Sequence, residues 1–403
     1  MRARTAALIA LGASALGVVF AAYSTYDYAQ QLDRQVHAVH CSFIPGAPVS
    51  SDADNACKAA LFSPFSAIFR ATYWGGVPIS LFGLGAFAFF VGFAVYLAVG
   101  DRRLPRSAYP PLVALSLGPL AVSVLMLVIS LNHLHALCKL CVGIYVSSLV
   151  LAASALLGMS AHAREVKAEG RASGPGWWTP VAALLALGVS ALAPAMVYVS
   201  SLPDYRPLLG KCGKLATKSD PHHGLLKIPT SHAKRAVLLF EDPLCPTCKA
   251  FHERLVDEGI FERLDVTLSL FHLDSECNWM LDRALHPGAC VLAKAVICGG
   301  NDKARAILEW AYDQQESLRE LGKRGVGPLT AKVSERWGRE LAACVGGKQV
   351  EAQLNQQLHY AASNHVPVST PQMFLGDERI CDEDTDLGLD YTLAQLAPEV
   401  LHE

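Results

Sequence analysis

Charge is what this chain has least of. Only 17% of its 403 residues are Asp, Glu, Lys or Arg, and the net charge is -2. No basic surface for nucleic acid follows from that balance, so no nucleic-acid partner is expected. There is no internal repeat and no low-complexity tract, which excludes solenoids and biased tails. What stands in place of charge is apolar: 52% of the residues, with a mean hydropathy of +0.29. Such values fit a chain that is part membrane and part globular, long enough for two or three domains. Cysteine is plentiful at twelve residues. That number points to an oxidising compartment or to thiols that do chemistry.

Five apolar stretches are long enough to cross a hydrocarbon core of about 30 Å, which takes about 20 helical residues. They run roughly Ala6–Ala22, Val77–Val99, Pro111–Leu131, Cys138–Gly158 and Thr179–Ser200, and none has a charge at its centre. Arg2 and Arg4 precede the first. Arg102, Arg103 and Arg106 join the second to the third, and Arg164, Lys167 and Arg171 join the fourth to the fifth. If all five cross, these basic segments share one side, and that side is cytoplasmic. The expected topology is a multi-pass protein of a bacterial inner (plasma) membrane, N-terminus cytoplasmic and C-terminal part periplasmic. The first stretch also reads as a signal peptide, with its basic start and Phe20-Ala21-Ala22. Retention is favoured, because a four-span remainder loses a helix that the site needs.

Polarity rises after residue 200. Leu202–Ser231, with several Pro and Gly, reads as a linker. A strand Ala236–Phe240, a helix Pro246–Val256 and a strand Val266–Phe271 follow. A mostly helical region, Leu281–Ala362, comes next. Then come a hairpin with strands Met373–Leu375 and Arg379–Cys381, and a closing helix Leu393–Leu401. Strand, Cys-x-x-Cys at a helix start, helical insertion and Thr370-Pro371 before a hairpin is the order of a thioredoxin-like domain. The expected architecture is a polytopic α-helical membrane bundle, four core helices plus a fifth span, followed by that α/β domain. The boundaries are 1–200 for the membrane part, 201–231 for the linker and 232–403 for the thioredoxin-like domain.

Cysteine pairs fall in both halves. Cys245-Pro246-Thr247-Cys248 opens a helix in the polar domain, and Cys138-Lys139-Leu140-Cys141 opens the fourth span. Cys41 and Cys57 lie in the loop after the first span. By the charge count all three pairs share the non-cytoplasmic face, which suits a relay of electron pairs ending at a membrane quinone. A cysteine at a helix N-terminus meets unpaired N–H groups that favour its thiolate, so Cys245 is the expected attacking sulfur. Cys248, one turn in, is the resolving partner. Pro246 suits the first turn, where its missing N–H is not needed. Thr370-Pro371 is the expected cis site, which would position an extended substrate. The competing reading of Cys245/Cys248 is half of a zinc site. It lacks a second ligand pair, and no metal is expected.

With those motifs in view, residues 1–200 resemble the vitamin K epoxide reductase family. The resemblance rests on Cys57, Ser63 six residues later, Gly76-Val77-Pro78-Ile79-Ser80 opening the second span, and Cys138-x-x-Cys141 opening the fourth. With its thioredoxin-like part, the whole chain resembles a bacterial fusion of the two. The resemblance implies a membrane thiol oxidase. Exported proteins with reduced cysteines would pass electrons to Cys245/Cys248. Cys245 would attack Cys41 of a Cys41–Cys57 disulfide, Cys57 would attack Cys138, and Cys141 would serve the quinone, ubiquinone or menaquinone. It also implies a quinone site near Ser63, Pro78 and Cys141, built from the first four spans and fed from the membrane lipid. Cys41 and Cys57 are further apart than is usual in the family, with an insertion from Ile44-Pro45-Gly46-Ala47-Pro48 onward. The order of exchange at these two cysteines therefore stays open. Another family of quinone-linked thiol oxidases places its Cys-x-x-Cys in the first outer loop, which is not the order here.

The remaining cysteines, Cys277, Cys290, Cys298 and Cys344, read as structural disulfides of undetermined pairing, and Cys212 and Cys381 as another bridge or as free thiols. His133 and His135 flank the membrane motif as candidate proton shuttles. His252 reads as a surface helix residue. Trp177, Trp178, Tyr73 and Trp74 suit aromatic belts at the membrane faces. Two other functions compete with the oxidase: a quinone or quinone-epoxide reductase driven by the thioredoxin-like domain, and a membrane-anchored protein whose disulfides are only structural.

Overall fold

The structure, a computed structural model, describes residues 2–33, 40, 42, 57–58, 60–100, 104–132, 137–169 and 178–401. Cys41, His133, His135, Trp177, Arg102, Arg103, Arg171 and the insertion at 44–48 lie outside them. The chain divides into two compact units, Met1–Pro203 and Asp204–Glu403.

The first unit holds five long apolar helices: α1 (Ala3–Gln30), α2 (Ile79–Gly100), α3 (Tyr109–Asn132), α4 (Lys139–Ala168) and α5 (Trp178–Ser201). All five are long and apolar enough to cross a membrane. Because they are apolar on every side, burial alone cannot orient them; small residues do. Ala3, Ala7, Ala10, Ala13 and Gly17 line the buried face of α1, which packs on α2 and α4. A Cβ on Gly17 would stand 2.4 Å from the Phe87 ring, and one on Gly143 2.7 Å from Phe20. One end of the bundle is fixed by polar bonds. Ala3 N donates to Glu165 Oε1 at 3.0 Å, and the Tyr109 hydroxyl donates to Ala3 O at 2.8 Å. A two-stranded ladder, β1 (Ala67–Ile68) against β2 (Val77–Pro78), leads into α2.

The second unit is built on a five-stranded sheet, ordered β3-β5-β4-β6-β7, of β3 (Leu226–Ile228), β4 (Arg235–Glu241), β5 (Leu264–Leu270), β6 (Gln372–Leu375) and β7 (Glu378–Arg379). β4 and β5 are parallel, with Val237 opposite Val266, and the other pairs are antiparallel. Helix α6 (Pro246–Asp257) makes the crossover between β4 and β5. The insertion between β5 and β6 contains α7 (Ala289–Cys298), α8 (Gly300–Asp313), α9 (Gln315–Lys323), α10 (Val326–Trp337), α11 (Arg339–Val345) and α12 (Lys348–Ser363), and α13 (Leu389–Leu396) follows the hairpin. This is the thioredoxin-like arrangement with a helical insertion. Residues 281–288, read as helical, have no regular structure; the insertion's helices begin at Ala289. Much of the stretch read as linker, 201–231, is structured: it supplies β3, and Cys212 is bonded to Cys381. Leu226-Lys227-Ile228 is too short a run to signal a strand. It forms one because β5 offers an open edge on which Leu226 and Ile228 become buried.

Candidate active sites

In the second unit β4 ends in Phe240-Glu241-Asp242, and the chain turns over Pro243-Leu244 into α6. Asp242, fully buried, organises the turn. Its Oδ1 accepts from Leu244 N at 2.7 Å, and its Oδ2 accepts from Leu273 N at 2.8 Å and meets His286 Nδ1 at 2.7 Å. Gln315 of α9 donates to the carbonyls of Pro243 and Cys245 at 3.2 and 3.1 Å. Cys245 is thereby set as the N-cap of α6, with Pro246 in the first turn. Its Sγ lies 2.9 Å from Thr247 Oγ1 and 3.5 Å from the Thr370 carbonyl oxygen, and the Thr370–Pro371 bond is cis. Hydrogen bonding from Cys248, opposed by burial and aided by Thr247 and Thr370, pulls the Cys245 thiol down to about 6. Burial first, then Cys245 and the carboxylates of Glu241 and Asp242, push the Cys248 thiol well above its ordinary range. One sulfur is thus a ready nucleophile near neutrality and the other holds its proton.

His252 is not a surface residue, contrary to the sequence reading. It is 3% exposed, with Nδ1 3.3 Å from Glu241 Oε2 and Nε2 3.6 Å from Glu309. The reason is helical spacing: it stands four residues after the buried Cys248, on the same face of α6. The Tyr312 hydroxyl donates to Glu241 Oε2 at 3.2 Å, completing a buried polar cluster below the dithiol. The other six cysteines of this unit pair as Cys212–Cys381, Cys277–Cys290 and Cys298–Cys344.

In the first unit Cys138 is the N-cap of α4, its sulfur accepting from Cys141 N at 3.4 Å. Cys57, buried and disulfide-bonded, lies with its sulfur 3.3 Å from that of Cys138. Cys138 and Cys141 are free thiols. A cavity of about 570 Å³ opens beside them, lined by Cys57, Cys138, Cys141 and apolar side chains that include Phe87, Val122 and Met126. Ser63 also lines it and donates to Ala60 O at 2.9 Å. Pro78 is not among the described lining residues; it is buried in β2 opposite Ala67, while the next two residues, Ile79 and Ser80, face the cavity. Two further lining residues escaped the sequence reading. Tyr145 follows Cys141 by four residues, a spacing that signals it, whereas Asp27 reads as an end-of-helix charge.

Residues 8–156 match the Vitamin K epoxide reductase family. The matched span includes Cys41, Cys57, Ser63, Cys138 and Cys141 and ends before α5. No curated protein matches the chain. Among solved structures it is similar to the oxidoreductase DsbA from Xylella fastidiosa, 19% identical over 43% of this chain and 94% of that one, with a TM-score of 0.31. DsbA1 from Neisseria meningitidis, in reduced form, is 18% identical over 46% and 92%, with a TM-score of 0.30. ScsC from Proteus mirabilis is 16% identical over 59% and 99%, with a TM-score of 0.26. A helical domain like that of the vitamin K epoxide reductases is followed in this chain by a domain of thioredoxin-like fold.

Proposed function

We propose that this protein is a membrane thiol oxidase that makes disulfides in exported proteins and reduces a quinone. Electrons pass from substrate thiols to Cys245/Cys248, then to the loop pair Cys41/Cys57, then to Cys138/Cys141. The observation that carries this reading is the 3.3 Å separation of Cys57 and Cys138 sulfurs beside an apolar cavity that Cys141 also lines. Thiol–disulfide exchange needs one sulfur in contact with another, and a bonded Cys57 against a free Cys138 meets that need.

The cavity fits a quinone. Its volume of about 570 Å³ falls within the range of about 300–1,000 Å³ usual for small-molecule pockets, and its lining is mostly apolar. Ser63 and Cys141 would hold the ring; the quinone supplies the site that accepts the electron pair. The chain's own residues close one sulfur–sulfur bond and deliver protons. The basic residues flanking the helices support a cytoplasmic N-terminus and a periplasmic thioredoxin-like domain.

The test is quinone reduction by the purified, detergent-solubilised protein given a protein-dithiol donor. Wild type is expected to turn over, and Cys138→Ala and Cys245→Ala to lose at least 100-fold. Wild type inert toward quinone would remove the oxidase reading. The description of the matched family favours quinone epoxide as a second substrate; epoxide turnover in the same preparation separates the two.

A further inference from the structure

Among the described residues lining the cavity of the first unit, Asp27 is the only one with a formal charge. Its side chain is 3% exposed, and both oxygens go to one residue. Oδ2 accepts from His40 N at 2.8 Å, and Oδ1 lies 2.5 Å from His40 Nδ1. The His40 side chain is 41% exposed. Tyr23, one turn before Asp27 on α1, and Tyr26, its immediate neighbour, flank the imidazole with ring centroids 5.5 and 6.0 Å away. A carboxylate on the wall of an apolar cavity is therefore one hydrogen bond from an imidazole that reaches water.

Burying a carboxylate against apolar surface is expensive, and an uncharged side chain could accept the same backbone N–H bond. What the carboxylate and imidazole add is a path for protons. We propose that Asp27 and His40 are the proton entry to the cavity: Asp27 gives a proton to the quinone oxygen, and His40 reloads Asp27 from water. This proposal rests on the quinone reading above. The balance is simple. Cys57 attacks Cys138 of the Cys138–Cys141 disulfide and expels Cys141, which takes up the Cys57 proton. Cys41 then attacks Cys57, re-forming the loop disulfide and releasing Cys138 as a thiolate, with the Cys41 proton lost to water. Closing the Cys138–Cys141 bond yields two electrons and one proton, and the quinone needs two of each to become the hydroquinone. The missing proton is the one that passes from water through His40 and Asp27 to the quinone oxygen.

Three readouts on the full-length protein test it, with Asp27→Asn and His40→Gln as the variants. In a Cys141→Ser background, formation of the Cys57–Cys138 mixed disulfide moves only sulfur bonds. It should persist in both variants, which also shows that they fold. Quinone reduction should fall about 100-fold in kcat with KM little changed, the size expected for loss of a proton donor. The infrared difference spectrum of the reduced against the oxidised protein should contain a carboxylic-acid band that Asp27→Asn abolishes. Wild-type turnover beside an unimpaired Asp27→Asn overturns this proposal alone, as does a carboxylic-acid band that survives in that variant. Loss of mixed-disulfide formation in both variants also overturns it, since the pair is then a structural anchor. Wild type unable to reduce quinone overturns the quinone reading and this proposal with it.

Discussion

Thr247→Val should raise the midpoint of Cys245 ionisation, and the structure bounds by how much. The thiol lies at about 6, against an ordinary 9.0, so the folded domain favours the thiolate by about 4 kcal/mol. Hydrogen bonding from Cys248 is the largest contribution, and the Thr247 hydroxyl at 2.9 Å is a further one. A hydrogen bond to a charged group contributes about 1.5–3 kcal/mol, or one to two pH units. The Thr247 hydroxyl has a competing acceptor, however, the Thr370 carbonyl at 3.1 Å. Its one hydrogen leaves that oxygen when it turns to the sulfur, so the net gain lies at the low end. The expected midpoint of Thr247→Val is about 7, one unit above wild type. The assay is the pH dependence of iodoacetamide capture at Cys245, quantified on its peptide by mass spectrometry so that the other thiols do not interfere. A wild-type midpoint near 9, or an unchanged midpoint in Thr247→Val, would refute the reasoning.

Three other outcomes are expected. Replacing Cys141 by Ser removes the thiol that resolves Cys138, so a Cys57–Cys138 mixed disulfide should accumulate; non-reducing proteolytic mapping that finds no such peptide would contradict the 3.3 Å contact. His252 is raised to about 9 from 6.5, as the nearby carboxylates of Glu241 and Glu309 outweigh the burial that would lower it. Its protonation therefore stabilises the fold fully below about pH 6.5, and this stability, about 3 kcal/mol, is lost as pH rises through 9. Urea unfolding of the full chain, followed by the fluorescence of the Trp310–Trp337 pair, should show that decline in wild type and not in His252→Gln. Finally, a Cβ at Gly85 would stand 2.0 Å from the Ser190 carbonyl oxygen, a backbone atom of α5. Gly85→Ala should lower the detergent-phase melting temperature by an overpacking cost of about 1–3 kcal/mol, and an unchanged melting temperature would show that α5 can shift without penalty.

The readable parts of this chain are those whose physics is local. Apolar length announces α1 to α5, and Pro246 after Cys245 announces the start of α6. A continuous apolar run gives β4 and alternation gives β5, each to within two residues. Pairings across long separations are a different matter. Cys57 meets Cys138 across 81 positions, a pairing expected only from the family resemblance, and Cys212 bonds Cys381 across 169, expected only as one of two alternatives; nothing in their flanking residues specifies such partners. β3 was hidden for the same reason, since its existence depends on an edge supplied by β5. His252 shows the opposite failure. Its four-residue spacing from Cys248 was visible, but polarity suggested surface, and only the buried Glu241 accounts for a histidine inside.

Gln315 also bears on engineering. Its amide holds the carbonyls of Pro243 and Cys245 from the first turn of α9, so the insertion is part of the scaffold of the Cys-Pro-Thr-Cys turn. A minimal domain made by splicing β5 directly to β6 would leave two inward-facing acceptors without their donor. Transplanting the turn into a smaller host of the same fold calls for a replacement amide at that point, and without one the graft should hold Cys245 less firmly at the head of its helix.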